Sequence, residues 1–205
     1  MATEQGLHCV FTYQEEMPEI LSRVSSSGYK IFKDGLENLN IIAVRAKTRV
    51  LDVYDDSLFV VFKRAFGAFN RVVWVEIRLP CSVDPGFYYT DRPMRSDGAA
   101  HICPGQYRGA YSIGIHKGNT ALVQVGPVSV RRDTDRDGVA ESVVSTGIFG
   151  INIHDSGRSM PASVGRWSAG CIAVRSQPAF EELIKIAKSS VPLHGDRFTL
   201  TVLED

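Results

Sequence analysis

The chain has 205 residues and a mass of 22.6 kDa, enough for one sizeable hydrophobic core or two small ones. Apolar residues make up 44% and charged residues 22%, which argues against long intrinsic disorder. Lys+Arg and Asp+Glu both number 23, so a general electrostatic grip on nucleic acid or anionic lipid is not expected, which leaves room only for a local patch.

The first twenty residues, MATEQGLHCVFTYQEEMPEI, carry Glu4, Glu15 and Glu16 and lack a basic stretch followed by an apolar one, so they do not read as a signal peptide. No run of 18 apolar residues occurs, and no membrane insertion is expected. Residues 14–24 (QEEMPEILSRV) predict a short helix with acidic residues in its first turn, ended by Ser25-Ser26-Ser27-Gly28. Asn40–Arg45, Leu58–Lys63 and Val72–Leu79 are short β-branched or aromatic runs and predict strands. Long turn-rich loops follow around Asp84-Pro85-Gly86 and Asp91–Pro104. Tyr107–His116 and Thr120–Arg131 predict a hairpin turned at Lys117-Gly118-Asn119, with His116 exposed beside the turn. Val143–His154 predicts a strand region broken by Gly147 and Gly150. Gln177–Ser189 is the strongest helix signal, with Ser176 to cap it, Pro178 in its first turn, and Phe180, Leu183, Ile184 and Ala187 in one stripe. Arg197–Leu203 alternates as a terminal strand. The expectation is an α+β, mostly β chain with few helices and a C-terminal helix plus strand. Residues 1–70 are read as an N-terminal extension packed on a main domain of residues 71–205.

Four cysteines, Cys9, Cys81, Cys103 and Cys171, are widely spaced without a CxxC pair, which removes zinc-ribbon and thioredoxin-type readings. Free thiols in a reducing compartment are the expectation, with two disulfides as the alternative. The loop RDTDRDGVAES places Asp133, Asp135 and Asp137 at alternate positions, followed by Gly138, the Val139 carbonyl and Glu141. Hard Ca²⁺ takes six to eight oxygens, and this spacing can supply a structural site. Position 12 is Val144, so the loop is not an EF-hand. The competing reading is a solvated hairpin turn.

The densest chemistry lies in Phe149–Val174. His154 ends a strand, and Cys171 follows 17 positions later inside Ser168-Ala169-Gly170-Cys171. An imidazole can take the proton of a thiol and return it to a leaving amine. Backbone N–H groups beside Gly170 and Cys171 can face a developing oxyanion. The other reading of this pair is a buried thiol in a Gly-rich turn and a strand-end histidine on a carbonyl.

The His154…Ser168-Ala169-Gly170-Cys171 arrangement resembles the H-x(14–17)-S-H-G-C pattern of the L,D-transpeptidase catalytic domain, also called the YkuD domain. The resemblance covers about residues 100–175, and Trp167–Cys171 (WSAGC) is similar to a divergent phage-associated or uncharacterised bacterial branch. It implies an L,D-transpeptidase-like β-sandwich, with residues 71–205 as the catalytic domain. It also implies a thioester acyl-enzyme acting on peptidoglycan stem peptides. Carried over, Cys171 is the nucleophile, His154 the general base and acid, Asp155 an orienting residue acting through its carbonyl, and Ser168 and Gly170 shape the oxyanion region. Ala169 replaces the family's histidine, and Ala173 its arginine. Arg166 or Arg175 is the candidate for the carboxylate-binding role, and Trp167 and His101 are further groove candidates. Hydrolysis by a lysin-type endopeptidase or carboxypeptidase is the leading expectation, with release by a holin or an injection machine. Cross-link-forming transpeptidation, a non-catalytic calcium-stabilised wall-binding or virion module, and a cytoplasmic cysteine acyltransferase on an unrelated substrate are the alternatives.

Overall fold

Residues 40–45 read NIIAVR, and a strand without polar alternation has to be covered on both faces. In the computed structural model, which describes residues 2–6, 9–47 and 50–205, that is what surrounds it. Ile41 and Ala43 enter the main core, while Ile42 and Val44 pack outward under the first helix. The elements in chain order are β1 (Ala2–Gly6), β2 (Cys9–Gln14), α1 (Glu19–Ser26), β3 (Asn40–Arg45), β4 (Asp56–Phe66), β5 (Arg71–Ser82), α2 (Phe87–Asp91) and β6 (Ala99–Ile102). They continue with β7 (Gly105–His116), β8 (Asn119–Gln124), β9 (Val128–Asp133), β10 (Val144–Gly147), β11 (Ile153–Asp155), β12 (Ile172–Val174), α3 (Gln177–His194) and β13 (Phe198–Glu204). The chain is α+β and mostly β.

β5 is long enough to pair along both edges. β4 lies along one of them from Asp56 to Phe66. The other is shared in succession by β2, opposite Trp74–Arg78, and β12, opposite Cys81 and Ser82. The order β5-β12-β11-β8-β7-β13-β3-β4 therefore returns to β5 as a closed eight-stranded barrel, whereas a two-sheet sandwich was expected from the sequence. Closure leaves no stave with an unpaired edge, which is the reason a barrel is favoured over two open sheets. β1 and β2 extend from β5 outside the ring, and β10-β9-β6 form a separate three-stranded sheet. A boundary at residue 70 falls inside the β4–β5 hairpin, so β3 and β4 are barrel staves and not an extension.

The first helix begins at Glu19, not at Gln14, because Cys9–Gln14 is drawn into pairing with β5 and Pro18 opens the helix. α3 runs past Pro192, which sits in its last turn, and stops at Gly195 (φ +81°). Its Phe180, Leu183, Ile184 and Ala187 enter the main core with Leu58, Val60, Ile77, Leu122, Ile153 and Leu200. The predicted strand 143–154 is broken between β10 and β11. There Gln124 satisfies the backbone instead: its Oε1 accepts from Phe149 and Ile151 N–H (3.0 and 2.9 Å), and its Nε2 donates to the Gly126 and Gly147 carbonyls. Among the described residues, no helix is long and apolar enough to cross a membrane.

A buried polar network ties the small sheet to the barrel. Arg45 on β3 donates to Asp84 (3.0 Å), to Glu204 on β13 (2.8 Å) and to the Ile102 carbonyl on β6 (2.8 Å). His101 Nδ1 meets the second Asp84 oxygen at 2.9 Å. Burial alone would raise the Asp84 carboxyl, but His101 and Arg45 together hold it down at about 2. A carboxyl depressed below its unfolded value near 3.9 adds stability above that pH and loses it as the pH falls toward 2. Asp84→Asn is therefore expected to destabilise by roughly 3 kcal/mol at pH 7, by uncovering the buried Arg45. In urea unfolding, the gap between wild type and variant should narrow between about pH 4 and pH 2.

Candidate active site

The site is assembled by a short parallel pairing. β11 and β12 run side by side with Ile153 opposite Ile172 and His154 opposite Ala173. Cys171, immediately before β12, is thereby carried to the start of β11, beside Asn152. Gly170 precedes it at φ +124°, and a Cβ there would lie 2.5 Å from the Ala100 carbonyl oxygen of β6. Only glycine supplies both that backbone angle and that close approach. Ser168 clamps the same turn, its Oγ accepting from Gly170 N–H (3.1 Å) and donating to the Cys171 carbonyl (2.7 Å).

The His154 ring is buried. Its Nδ1 donates to the Asp155 carbonyl at 2.8 Å, which leaves the lone pair on Nε2, and Nε2 is buried without a hydrogen-bond partner among the described residues. The Asp155 side chain serves the following turn by accepting from Gly157 N–H. The Cys171 sulfur has two long contacts, accepting from Asn152 N–H and donating to the Gly150 carbonyl, each at 3.4 Å. Burial raises the Cys171 thiol and lowers the His154 imidazole. Both shifts favour the neutral pair, so the resting site holds thiol and imidazole and not a preformed thiolate–imidazolium pair.

A third group joins them. A ring nitrogen each of His116 and His154 and the Cys171 sulfur lie within 4.8 Å of one another, and the two imidazoles stack with centroids 4.8 Å apart. His116 ends β7 at the hairpin turn and is half-buried, where the sequence reading had it exposed. Nothing local in Gly114–Asn119 reveals this, because the contact depends on the hairpin tip meeting the chain around Asn152. The three atoms are close enough for a common ion. However, Asn152 Nδ2 donates to His116 Nδ1 (2.9 Å), which sets that ring with its proton on Nε2. The Nδ1 lone pair of His116 is thus already taken by Asn152, and the ring's proton is on Nε2.

Cys171 and His116 line a cavity of about 300 Å³ together with Ala169, Trp167, Phe149 and Tyr89, with Arg95, Lys117 and Arg132 as its cations, and His154 lies behind them, outside that lining. Arg95 and Arg132 share Asp97, at 2.9 and 3.9 Å. Of the residues expected to bind substrate, Trp167 lines this cavity. Arg166 stands over the Tyr88 ring (4.1 Å), and Arg175 donates to the Pro161 carbonyl (3.1 Å). His101 belongs to the Arg45–Asp84 network. The cations that do reach the cavity were missed, since only the packing of β6–β9 and of the hairpin turn beside Cys171 singles them out.

The Asp133, Asp135 and Asp137 carboxylates converge within 4.8 Å. Asp133 accepts from Arg136 and Gly138 N–H, Asp135 from Asp137 N–H, and Asp137 from Val139 N–H. Glu141 is turned to the Thr134 N–H and hydroxyl, outside that set. The loop is thus closed by its own hydrogen bonds, and the three aspartates are the groups that could hold a cation. None of the four cysteines is in a disulfide.

Comparison with family models, with curated proteins and with solved structures gave no match.

Two outcomes follow from this geometry. Gly170→Ala should cost roughly 1–3 kcal/mol in denaturant unfolding, through its strained φ and the Ala100 contact. Iodoacetamide labelling of Cys171, read by peptide mass, should keep accelerating with pH beyond the ordinary cysteine range. A rate already at its plateau at pH 7 would contradict the neutral pair.

Proposed function

We propose that this protein is a cysteine-dependent enzyme that acts on peptidoglycan stem peptides through a thioester acyl-enzyme, with hydrolysis as its outcome. The observation that carries the reading is the Cys171 thiol beside an imidazole whose tautomer is set by the Asp155 carbonyl, at the wall of a cavity large enough for a short peptide. Cys171 attacks the acyl carbon of a stem-peptide amide while His154 Nε2 takes its proton. The amine then leaves with that proton, and water resolves the thioester by the same base. Because the resting pair is neutral, proton transfer accompanies attack and does not precede it. The peptidoglycan assignment rests on the resemblance of His154…Ser168-Ala169-Gly170-Cys171 to the L,D-transpeptidase domain. Arg95, Lys117 and Arg132 suit the carboxylates that such stems carry. Within the same proposal, Ca²⁺ held by Asp133, Asp135 and Asp137 is structural.

The raised Cys171 thiol favours one second reading, a non-catalytic wall-binding or virion module. Digestion of purified peptidoglycan with calcium, with and without an amine acceptor, separates the two by mass spectrometry of the products. Wild type is expected to release shortened stems or cut cross-links, and Cys171→Ala and His154→Ala to fall by about 10³-fold or more. New linkages formed only with acceptor would make the enzyme a transpeptidase. Unchanged muropeptides with wild type would leave the binding module.

A further inference from the structure

Acyl transfer to a thiol needs a hydrogen-bond donor for the carbonyl oxygen as it becomes an oxyanion. One backbone donor beside Cys171 is committed, because Gly170 N–H is held by Ser168 Oγ at 3.1 Å. Asn152 N–H is directed at the sulfur itself. The His116 ring, by contrast, lines the same cavity as Cys171 and has a nitrogen within 4.8 Å of its sulfur.

The proton on that ring is placed by a chain of bonds that admits one orientation. Gln124 N–H can only donate, and Asn152 Oδ1 accepts from it at 2.9 Å. The Asn152 amide is therefore fixed with Nδ2 toward His116, 2.9 Å from Nδ1. Nδ1 accepts, so the proton of the neutral ring is on Nε2. Burial and the neighbouring Lys117 both favour the neutral ring. Stacking on His154 holds its plane, with an interplanar angle of 27°. An imidazole whose Nδ1 lone pair is already taken and whose Nε2 carries the proton is an electrophilic donor, whereas His154, with its proton on Nδ1, keeps its lone pair on Nε2 and can act as the base.

We propose that His116 Nε2–H is the oxyanion donor of this site, aligned by Asn152 as its positioning residue. This rests on the cysteine acyl-transfer reading above. As the Sγ–C bond forms, the thiol proton passes to His154 Nε2 and the carbonyl π pair moves to oxygen. His116 Nε2–H donates to that oxygen. Collapse restores the C=O bond, breaks the bond to the leaving group, and returns the proton from His154 to it.

The test compares two reactions of Cys171 in the full chain at one pH, with melting used to check that each variant is folded. Acetylation by p-nitrophenyl acetate passes through an oxyanion; alkylation by iodoacetamide displaces iodide and does not. His116→Phe keeps a flat ring against His154 and removes the donor. It is expected to slow acetylation about 10²-fold and to leave alkylation within about twofold. Asn152→Asp puts an acceptor against Nδ1 and draws the proton away from Nε2, so it should reproduce the selective loss. His116→Gln, which retains an N–H donor, should recover part of the rate. Equal slowing of both reactions by His116→Phe would make His116 a thiol-activating group and overturn the proposal. So would acetylation unchanged in His116→Phe while His154→Ala still abolishes it. If wild-type Cys171 alkylates but is not acetylated at all, the acyl-transfer reading fails, and the donor assignment with it.

Discussion

The site depends on three residues of parallel pairing. β11 and β12 are each three residues long, and their register, Ile153 to Ile172, brings a histidine and a cysteine 17 positions apart in the chain to the same end of the barrel wall. A pair so short has little stability of its own. It is held because β12 is also bonded to β5, β11 to β8, and both isoleucines are fully buried in the main core. Slipping either strand by one residue would turn its isoleucine out of the core and move Cys171 away from His154. Hydrophobic register and the placement of the proposed catalytic pair are therefore one constraint.

The barrel wall is closed over that pair by polar groups that are nearly all matched. Gln124 and Asn152 satisfy the irregular segment 147–152, and the same Asn152 reaches the Cys171 sulfur through its N–H and the His116 ring through its amide. Arg45, Asp84 and His101 hold β6 against the barrel, and β6 supplies the Ala100 carbonyl on which Gly170 rests. Among the described residues, five buried side-chain polar atoms lack a hydrogen-bond partner, Tyr54 Oη, His101 Nε2, Tyr111 Oη, Ser156 Oγ and the Nε2 of His154. A buried acceptor without a partner is costly, and sites of reaction are where such a cost is tolerated.

Desolvation sets the electrostatics of the pair. It pushes the thiol up and the imidazole down, and neither the Asn152 N–H nor the charge of Lys117 offsets the first of these. A substrate that brought its own charge or expelled water would change that balance, which is how a closed resting site is compatible with the proposed acyl transfer. The cavity cations are partly engaged already, Arg95 and Arg132 sharing Asp97, while Lys117 stands at the hairpin turn.

Much of this protein is legible in one dimension. Strands β3, β4, β5, β7, β8 and β13, helix α3 with its Ser176 cap, and the proximity in sequence of His154 and Cys171 all follow from local periodicity, capping and spacing. So does the mostly β character. The β2 strand is not legible, because CVFTYQ becomes a strand only when β5 offers it an edge. The break in residues 148–152 is hidden too, since it is held by a glutamine side chain from β8. What the sequence by itself determined is which segments can be strands and which residue types can do thiol chemistry, because those depend on neighbours along the chain. The tertiary structure alone decided the closed barrel, the orientation of Asn152, the arrival of His116 at the thiol, and the diversion of His101, Arg166 and Arg175 to other partners. Each of these is a contact between residues far apart in sequence, and no local pattern encodes which distant edge or ring will be there.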